Sequence, residues 1–503
     1  MPVPSEIIFD SHDAELNRNV HPDRWQNPTP RGRYHLVVIG AGTAGLVAAA
    51  GAAGLGAKVA IVERHRMGGD CLNTGCVPSK GIISAARIAR AFRLGSTFGI
   101  TTTGGYSVDF AAVMQRMRQL RASISVNDSA DRFRSLGVDV YFGDASFLNS
   151  HEIEVAGQTL SFRRALLATG ARAAVPPITG LSTVPYLTNE TLFSLTERPG
   201  RLAVIGAGPI GCEMAQAFAE LGSKVYLLDP AKAPLPREDA DVREIVRQSL
   251  EDSGVQVWTG THIESVSQEG SLELKIRQHD ENRTLAVDRI LVATGRLPNI
   301  EGLHLEKAGI ASSPKGVVVD DYLRTTAPTI YASGDVCSPF QFTHAADFMS
   351  RMALQNALFF GRQRVSRMLI PWCTYTTPEV AHVGLNQRQL DEAGIKTTTF
   401  SQSMTENDRA ILEGETLGLA KVHVRAGSDK ILGATIVAPH AGEMINEISL
   451  AMKQGIGLAK IGSTIHPYPT QAEAIRKLGD QYQRTRLTPT TKSLLRSWLS
   501  LFG

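Results

Sequence analysis

The run MGGDCLNTGCVPSK, residues 67–80, carries Cys71 and Cys76 with four residues between them. Two thiols so placed can staple a loop, hold a metal ion, or cycle between dithiol and disulfide. A zinc site wants four ligands, usually from a second cysteine pair or added histidines, and neither accompanies this pair. A four-residue loop restrains too little unfolded-chain entropy to be a useful staple. What remains is redox chemistry. Pro78 suits the first turn of a helix, so the thiols are expected where a helix N-terminus lowers a thiolate pKa.

The elements that must position this pair are legible on either side of it. YHLVVIGAGTAGLVAAAGAAGLGAKVAIVE reads as strand, glycine turn, helix and strand, with Gly40, Gly42 and Gly45 in the turn and Glu63 closing the second strand. RLAVIGAGPIGCEMAQAFAELGSKVYLLD repeats the plan with Gly206, Gly208, Gly211 and Asp229. Glu63 lies 23 residues after Gly40, as Asp229 does after Gly206. In a dinucleotide site the first glycine makes the tight turn, the second admits the pyrophosphate, the third packs helix on strand, and the acid accepts from a ribose hydroxyl. Two copies with the same offset predict two such sites. Short apolar strands ending in the same Ala-Thr-Gly turn follow at ALLATG, closing at Gly170, and ILVATGR, closing at Arg296. Val113, Met117 and Leu120 give helical core spacing between 100 and 140. After about residue 365, LAKVHVR and ILGATIVA alternate with helices expected near 441–455 and 470–484, an α+β texture without a glycine fingerprint.

Length and composition agree with a multidomain α/β chain. At 503 residues the chain exceeds one core, and 52 basic against 49 acidic residues leave no footprint for nucleic acid. Five cysteines without framework spacing indicate a reducing, cytoplasmic setting. The first thirty residues are too polar for a signal peptide and form a leader packed on, or dangling from, the first domain. Leu36 to Ala57 is free of charge, but its glycines divide it into strand, turn and helix, so no membrane span is expected. LLRSWLSLF, residues 494–502, reads as an amphipathic tail packed on the body, with a membrane or partner contact as the alternative.

The run GGDCLNTGCVPSK resembles the redox-active motif of the class I pyridine nucleotide–disulfide oxidoreductases, the flavin disulfide reductases that include dihydrolipoamide dehydrogenase, glutathione reductase and mercuric reductase. TIYASGDV at 329–336 is similar to the family's second flavin motif, and TTPEVAHVG at 376–384 to the opening of its dimerisation domain. The resemblance covers residues 34 to about 480. It implies two Rossmann-like domains, for FAD and NAD(P), and a C-terminal α+β dimerisation domain. The implied boundaries are 1–33 for the leader, 34–185 and 311–365 for the two FAD segments, 186–310 for NAD(P), and 366–503 for dimerisation.

Roles follow from the same resemblance. Gly40, Gly42, Gly45 and Glu63 would hold the ADP half of FAD. Asp335 would bind the ribityl chain, with Ala145, Ala168, Thr169, Gly170, Gln341, Phe342, Thr343 and His344 lining the cofactor. Gly206, Gly208, Gly211 and Asp229 would hold the nicotinamide cofactor near Gly295. An acid at Asp229 favours NADH over NADPH, although Lys232 and Arg237 lie close enough in sequence to blur the preference. Cys76 would face the flavin as the charge-transfer thiolate and Cys71 would face the substrate. Lys80 would stand beside the flavin, paired with Glu213. No metal is expected as a resident cofactor. The enzyme implied is a homodimer that passes electrons from NAD(P)H through FAD to the Cys71–Cys76 disulfide and on to a small acceptor.

One departure is plain. Family members acting on thiols place a histidine from the partner subunit in a His-Pro-Thr-x-x-Glu pattern, whereas this chain reads HPYPTQAE, with Tyr468 in the histidine's slot and Glu473 retained. A phenol of pKa about 10 is a poor base at neutral pH. Tyrosine there is similar to mercuric reductases, yet no cysteine follows Cys373 to deliver the ion. The acceptors in falling order are a small disulfide or other electrophile, mercuric ion, and lipoamide. A flavin redox sensor with vestigial turnover is the alternative of a different class.

Overall fold

Tyr34 to Ile39 ends in the apolar run Leu36 to Ile39, whose side chains alternate between two faces. Leu36 and Val38 enter one apolar cluster with Ala44, Ala48 and Ile61, while Tyr34, Val37 and Ile39 enter another with Phe162 and Ile330. A strand buried on both faces belongs inside a parallel sheet covered on both sides, and each large side chain so buried contributes roughly 1.5–3 kcal/mol. The computed structural model, which describes residues 10–101, 103–278 and 281–502, shows that sheet. Its strands run in the order Val138–Phe142, Val59–Glu63, Tyr34–Ile39, Gln158–Leu167, Glu152–Val155, Ala145–Asn149, with Ile330–Ala332 also paired to Gln158–Leu167. The first three and the Ile330–Ala332 contact are parallel, and the last two strands fold back as antiparallel neighbours. Tyr34–Ile39 therefore has an early strand on one side and a much later one on the other. Its C-terminal end is the switch point where open α/β sheets bind ligands.

The chain divides into two units. One comprises Met1–Gly206, Ala217–Tyr226 and His262–Met368; the other comprises Ala207–Gln216, Leu227–Thr261 and Leu369–Gly503. The first holds the sheet above, and in it Arg201–Ile205 pairs in parallel with Arg289–Val292. The second holds a five-stranded antiparallel sheet in the order Trp372–Thr374, Glu379–Gly384, Ile431–Ala438, Leu419–Arg425, Thr397–Ser403. Helices Ala441–Lys453 and Glu473–Thr485 close its core through Ile445, Ile448, Ile475 and Leu478. The α+β texture read after residue 365 is this layer.

The leader packs rather than dangles over its described part. Asp10 caps helix Ser11–Val20 by accepting from the His12 and Asp13 N–H groups, and Leu16 and Val20 are buried. This leader also corrects the face expected between 100 and 140. Helix Phe110–Ser125 buries Phe110, Met114, Met117, Arg118, Arg121 and Ala122, whereas Val113 and Leu120 are only half-buried. Two arginines lie on the inner face because the leader brings carboxylates to them: Asp10 meets Arg118 at 2.7 Å and Asp13 meets Arg121 at 2.8 Å. The tail differs as well. Helix Pro489–Leu499 buries none of its residues, so the expectation that it packs on the body fails. The charge-free stretch from Leu36 splits into strand Tyr34–Ile39 and helix Thr43–Gly54. Among the described residues no helix is long and apolar enough to cross a membrane.

Candidate active site

Gly40 ends the central strand at φ +102°, and a Cβ on it would stand 2.4 Å from the Ala168 carbonyl oxygen. Gly45 is excluded from bearing a side chain by its own turn, since a Cβ would fall 1.8 Å from the Gly40 oxygen. Gly42 caps helix Thr43–Gly54 with no side chain accepting from the first-turn N–H groups. Those unpaired donors at a helix N-terminus are what a diphosphate accepts from. Glu63 closes the turn, with Oε2 accepting from the Ala41 N–H and Oε1 from the His65 N–H, both at 2.8 Å.

The second fingerprint reproduces the first glycine and the acid. Gly206 has φ +107° and a Cβ there would lie 2.5 Å from the Ala293 carbonyl oxygen. Asp229 accepts from the Ala207 N–H at 2.6 Å and from the Ala231 N–H at 2.7 Å. The repeated Ala-Thr-Gly turns thereby acquire a reason. Ala168 N–H donates to Ile39 and Ala293 N–H to Ile205, both at 2.8 Å, which seats each turn on the first glycine of its fingerprint. Gly208 differs from Gly42 in having open space around it, and Gly211 lies in helix Pro209–Glu220. Gly170 and Gly295 both take positive φ, +67° and +136°.

The cysteine motif is docked on the first fingerprint by glycines that the sequence reading passed over. Gly68 N–H donates to Ala41 at 2.8 Å. Gly69, at φ +55°, approaches so closely that a Cβ on it would sit 2.5 Å from Gly42 Cα. The Gly-Gly pair ahead of Asp70 was the available signal. Cys71 then lies in the short helix Gly69–Asn73, and Cys76 is the first residue of helix Cys76–Leu94, as Pro78 suggested.

Both thiols are free and face one another as donor and acceptor. The hydrogen bond from Cys71 is the foremost reason why Cys76 is pulled down to about 6, against burial, with the Thr343 hydroxyl and the Lys80 charge adding to it. Cys71 is pushed up by the same bond and by burial. Cys76 is thus the thiolate and Cys71 the thiol. The Thr343 hydroxyl lies 3.3 Å from the Cys76 sulfur, at the start of helix Thr343–Leu358. Phe342 caps that helix and stacks on His344 at 5.5 Å, and Gln341 precedes them half-buried.

Asp335 sits in the short turn Gly334–Val336, where burial raises its carboxyl pKa against the Arg296 charge. Arg296 spans two carboxylates, reaching Asp70 at 2.6 Å and Asp335 at 3.4 Å. It ends the ILVATGR motif, but nothing in the sequence joins it to residue 70 or 335. Asn189 and Thr74 also donate to Asp70, so the residue beside Cys71 is fixed by three partners. Thr169 donates to the Asn299 carbonyl at 2.7 Å, and Ala145 contributes its methyl to the apolar cluster with Phe147. Glu213 is buried and accepts from the Tyr375 N–H at 2.8 Å.

At the C-terminal slot, the Tyr468 hydroxyl donates to Asp408 at 2.9 Å, and that bond raises its pKa. Glu473 pairs with Arg476 at 3.0 Å. His466 has both ring nitrogens engaged, by the Thr464 carbonyl and by Glu447, each at 3.0 Å. Neither side chain is presented as a base. Among the described residues no group of histidines, cysteines and carboxylates is placed to hold a metal ion. The glycine cradle, the free helix N-terminus and Glu63 do fit an adenine dinucleotide such as FAD.

Comparison with known proteins agrees with this geometry. The pyridine nucleotide-disulphide oxidoreductase family model matches residues 34–354, and its dimerisation domain matches residues 370–478. A mercuric reductase of Staphylococcus aureus is 36% identical over 447 residues, spanning 88% of this chain and 82% of that one. A dihydrolipoyl dehydrogenase of Chlamydia muridarum is 33% identical, spanning 88% and 95%. The solved structure of the HOCl-induced flavoprotein disulfide reductase RclA from Escherichia coli superposes with a TM-score of 0.79 at 31% identity, over 89% of this chain and 99% of that one.

Proposed function

The chain belongs to the pyridine nucleotide-disulphide oxidoreductases, and from that premise we propose how its own residues carry the reaction. It is an NAD(P)H-dependent flavoprotein disulfide oxidoreductase. When bound, FAD supplies the relay between a hydride donor and a disulfide, chemistry no side chain provides. Gly40, Gly42, Gly45 and Glu63 hold its ADP half, and Asp335, fixed by Arg296, binds its ribityl chain. Gly206, Gly208, Gly211 and Asp229 hold the nicotinamide cofactor. Asp229 accepts from a free 2′-hydroxyl and repels a 2′-phosphate, which favours NADH.

The observation that carries the reading is Cys76 at the first turn of a long helix, 3.3 Å from the Thr343 hydroxyl and hydrogen-bonded by Cys71. Helix N-terminus, hydroxyl and Lys80 together hold Cys76 as thiolate, while Cys71 keeps its proton. Reduction of an acceptor disulfide then balances as one thiol plus one thiolate giving the Cys71–Cys76 disulfide, with two electrons, one proton and two sulfurs leaving as a thiol and a thiolate. Because Tyr468 donates to Asp408 and both ring nitrogens of His466 are engaged, neither of these side chains relieves Cys71 of its proton. The acceptor that suits such a site is a small disulfide or other electrophile with a good leaving group. The C-terminal Tyr468–Glu473 segment completes the site of the second subunit of a homodimer, within the boundaries given above.

Mercuric ion is a second reading, favoured by Tyr468 and by the similarity to mercuric reductases, and opposed by the lack of any cysteine after Cys373. Anaerobic titration with NADH decides the mechanism. The wild type is expected to develop long-wavelength thiolate-to-flavin absorbance and Cys76→Ser to lack it; a wild type without that band would overturn the dithiol relay. Mercury-dependent NADH oxidation in excess thiol would move the substrate to the second reading.

A further inference from the structure

The tail has a chemistry of its own. Helix Pro489–Leu499 opens at Thr488, whose side chain accepts from the Thr491 N–H. Leu494, Leu495, Trp498 and Leu499 fall on one face at helical spacing, and Leu501 and Phe502 continue it. All six are exposed, from 47% for Leu495 to 75% for Leu501. Ser493, Ser497 and Ser500 occupy the opposite face. The segment is cationic: Arg484, Arg486, Lys492 and Arg496 are exposed, and no acidic residue follows Asp480. It also lies outside the family's matched dimerisation domain, which ends at residue 478.

We propose that residues 484–502 bind an anionic phospholipid surface, with the Leu494–Trp498–Phe502 ridge in the headgroup boundary and the basic residues on lipid phosphates. An apolar ridge flanked only by cations is complementary to a surface that is apolar beneath and negative on top. Trp498 suits the boundary, where an aromatic ring with one polar edge is favoured. An eleven-residue helix is about 16 Å long against a hydrocarbon core of about 30 Å, so it lies in the plane and does not span. The proposal takes up the membrane alternative that the sequence left for this tail and does not depend on the acceptor. It makes the reductase peripheral, held by a segment that takes no part in the nucleotide turns or the dithiol.

Vesicle flotation of the full-length, flavin-loaded enzyme tests this. Vesicles of phosphatidylcholine with phosphatidylglycerol are expected to carry the enzyme upward, and pure phosphatidylcholine to carry it at least about tenfold less. Leu494→Glu with Trp498→Glu, and separately Lys492→Glu with Arg496→Glu, are each expected to lower binding about tenfold or more while flavin content and NADH oxidation stay unchanged. No binding to the anionic vesicles, equal binding to the neutral ones, or insensitivity to either pair of substitutions overturns the proposal. A fall in oligomer mass on the Leu494→Glu, Trp498→Glu change without vesicle binding also overturns it, by assigning the ridge to protein contact.

Discussion

A free cysteine thiol ionises near pH 8.5, so at neutrality it is almost wholly protonated. Cys76 is set apart from that default by three neighbours, and the largest is its own partner: Cys71 donates to it, Thr343 donates to it and Lys80 faces it with positive charge. Its folded value of about 6 lies below the reference, so the thiolate dominates above pH 6 and is lost as pH falls through 6. Alkylation of the reduced enzyme by iodoacetamide should therefore climb through a midpoint near pH 6, with Cys76 identified by mass spectrometry. Thr343→Val should move that midpoint upward, and so should Cys71→Ala, since each removes a donor to the Cys76 sulfur; a midpoint indifferent to both would refute the assignment. The pair and its helix were readable from residue types and spacing alone. The asymmetry between the thiols came only from the family resemblance, because Thr343, which bonds Cys76, is remote in sequence and ordinary in type. Arg296 escaped for the same reason, being tied to Asp70 and Asp335 only by the fold.

Elements were legible where one pattern sufficed. The two glycine fingerprints fold as strand, turn and helix with the acid bonded to the turn, because each is a local device. Helix Phe110–Ser125 was found, but its inner face was misjudged, since Arg118 and Arg121 become core residues only once Asp10 and Asp13 arrive from the leader. Apolar spacing cannot announce a charged face that is neutralised by another element. The contact of Gly69 with Gly42 gives a sharp test at this scale. Gly69→Ala places a methyl 2.5 Å from Gly42 Cα at a positive φ, so a cost of about 1–3 kcal/mol is expected, together with a lower flavin-to-protein ratio. A melting temperature and absorbance ratio equal to wild type would contradict it. In the antiparallel layer, Lys421 is buried between Asp239 at 2.8 Å and Asp241 at 2.7 Å, with His423 at 3.5 Å from Asp239. Burial raises the Asp239 pKa, but the His423 ring beside it and the hydrogen bond and charge of Lys421 outweigh burial and hold the carboxyl below its usual range. Its stabilising contribution is present above the unfolded carboxyl pKa and fades as pH falls below about 4. Lys421→Met strands that carboxylate and should cost about 3–5 kcal/mol, read as a lower urea midpoint at pH 7.

For the whole molecule, the proposed homodimer makes each site composite: the nucleotide turns and dithiol from one chain, the Tyr468–Glu473 segment from the other. Subunit mixing exposes such an arrangement. Cys76→Ser and a chain whose residues 468–473 are replaced by a glycine-serine linker should each be strongly impaired as homodimers, and their refolded mixture should recover up to about a quarter of wild-type activity, from the one intact site in half of the dimers. No recovery would place both functions within a single chain. Fold class was legible at this scale because five motifs occur in sequence. The exposed tail was not, since an amphipathic helix shows that it has a face to cover and not whether its own chain covers it. The twin turns have one more consequence. Each seats an Ala-Thr-Gly corner on its first glycine and ties an acid to the next N–H, so as receptors for an adenosine diphosphate they are nearly interchangeable. Cross-occupancy is the natural hazard of building two addresses from one socket. What tells them apart is the neighbour: at Gly42 the backbone of Gly69 presses in, while Gly208 opens on free space. In the reading proposed above, the walled turn suits a tenant that must stay, and the open one a tenant that must come and go.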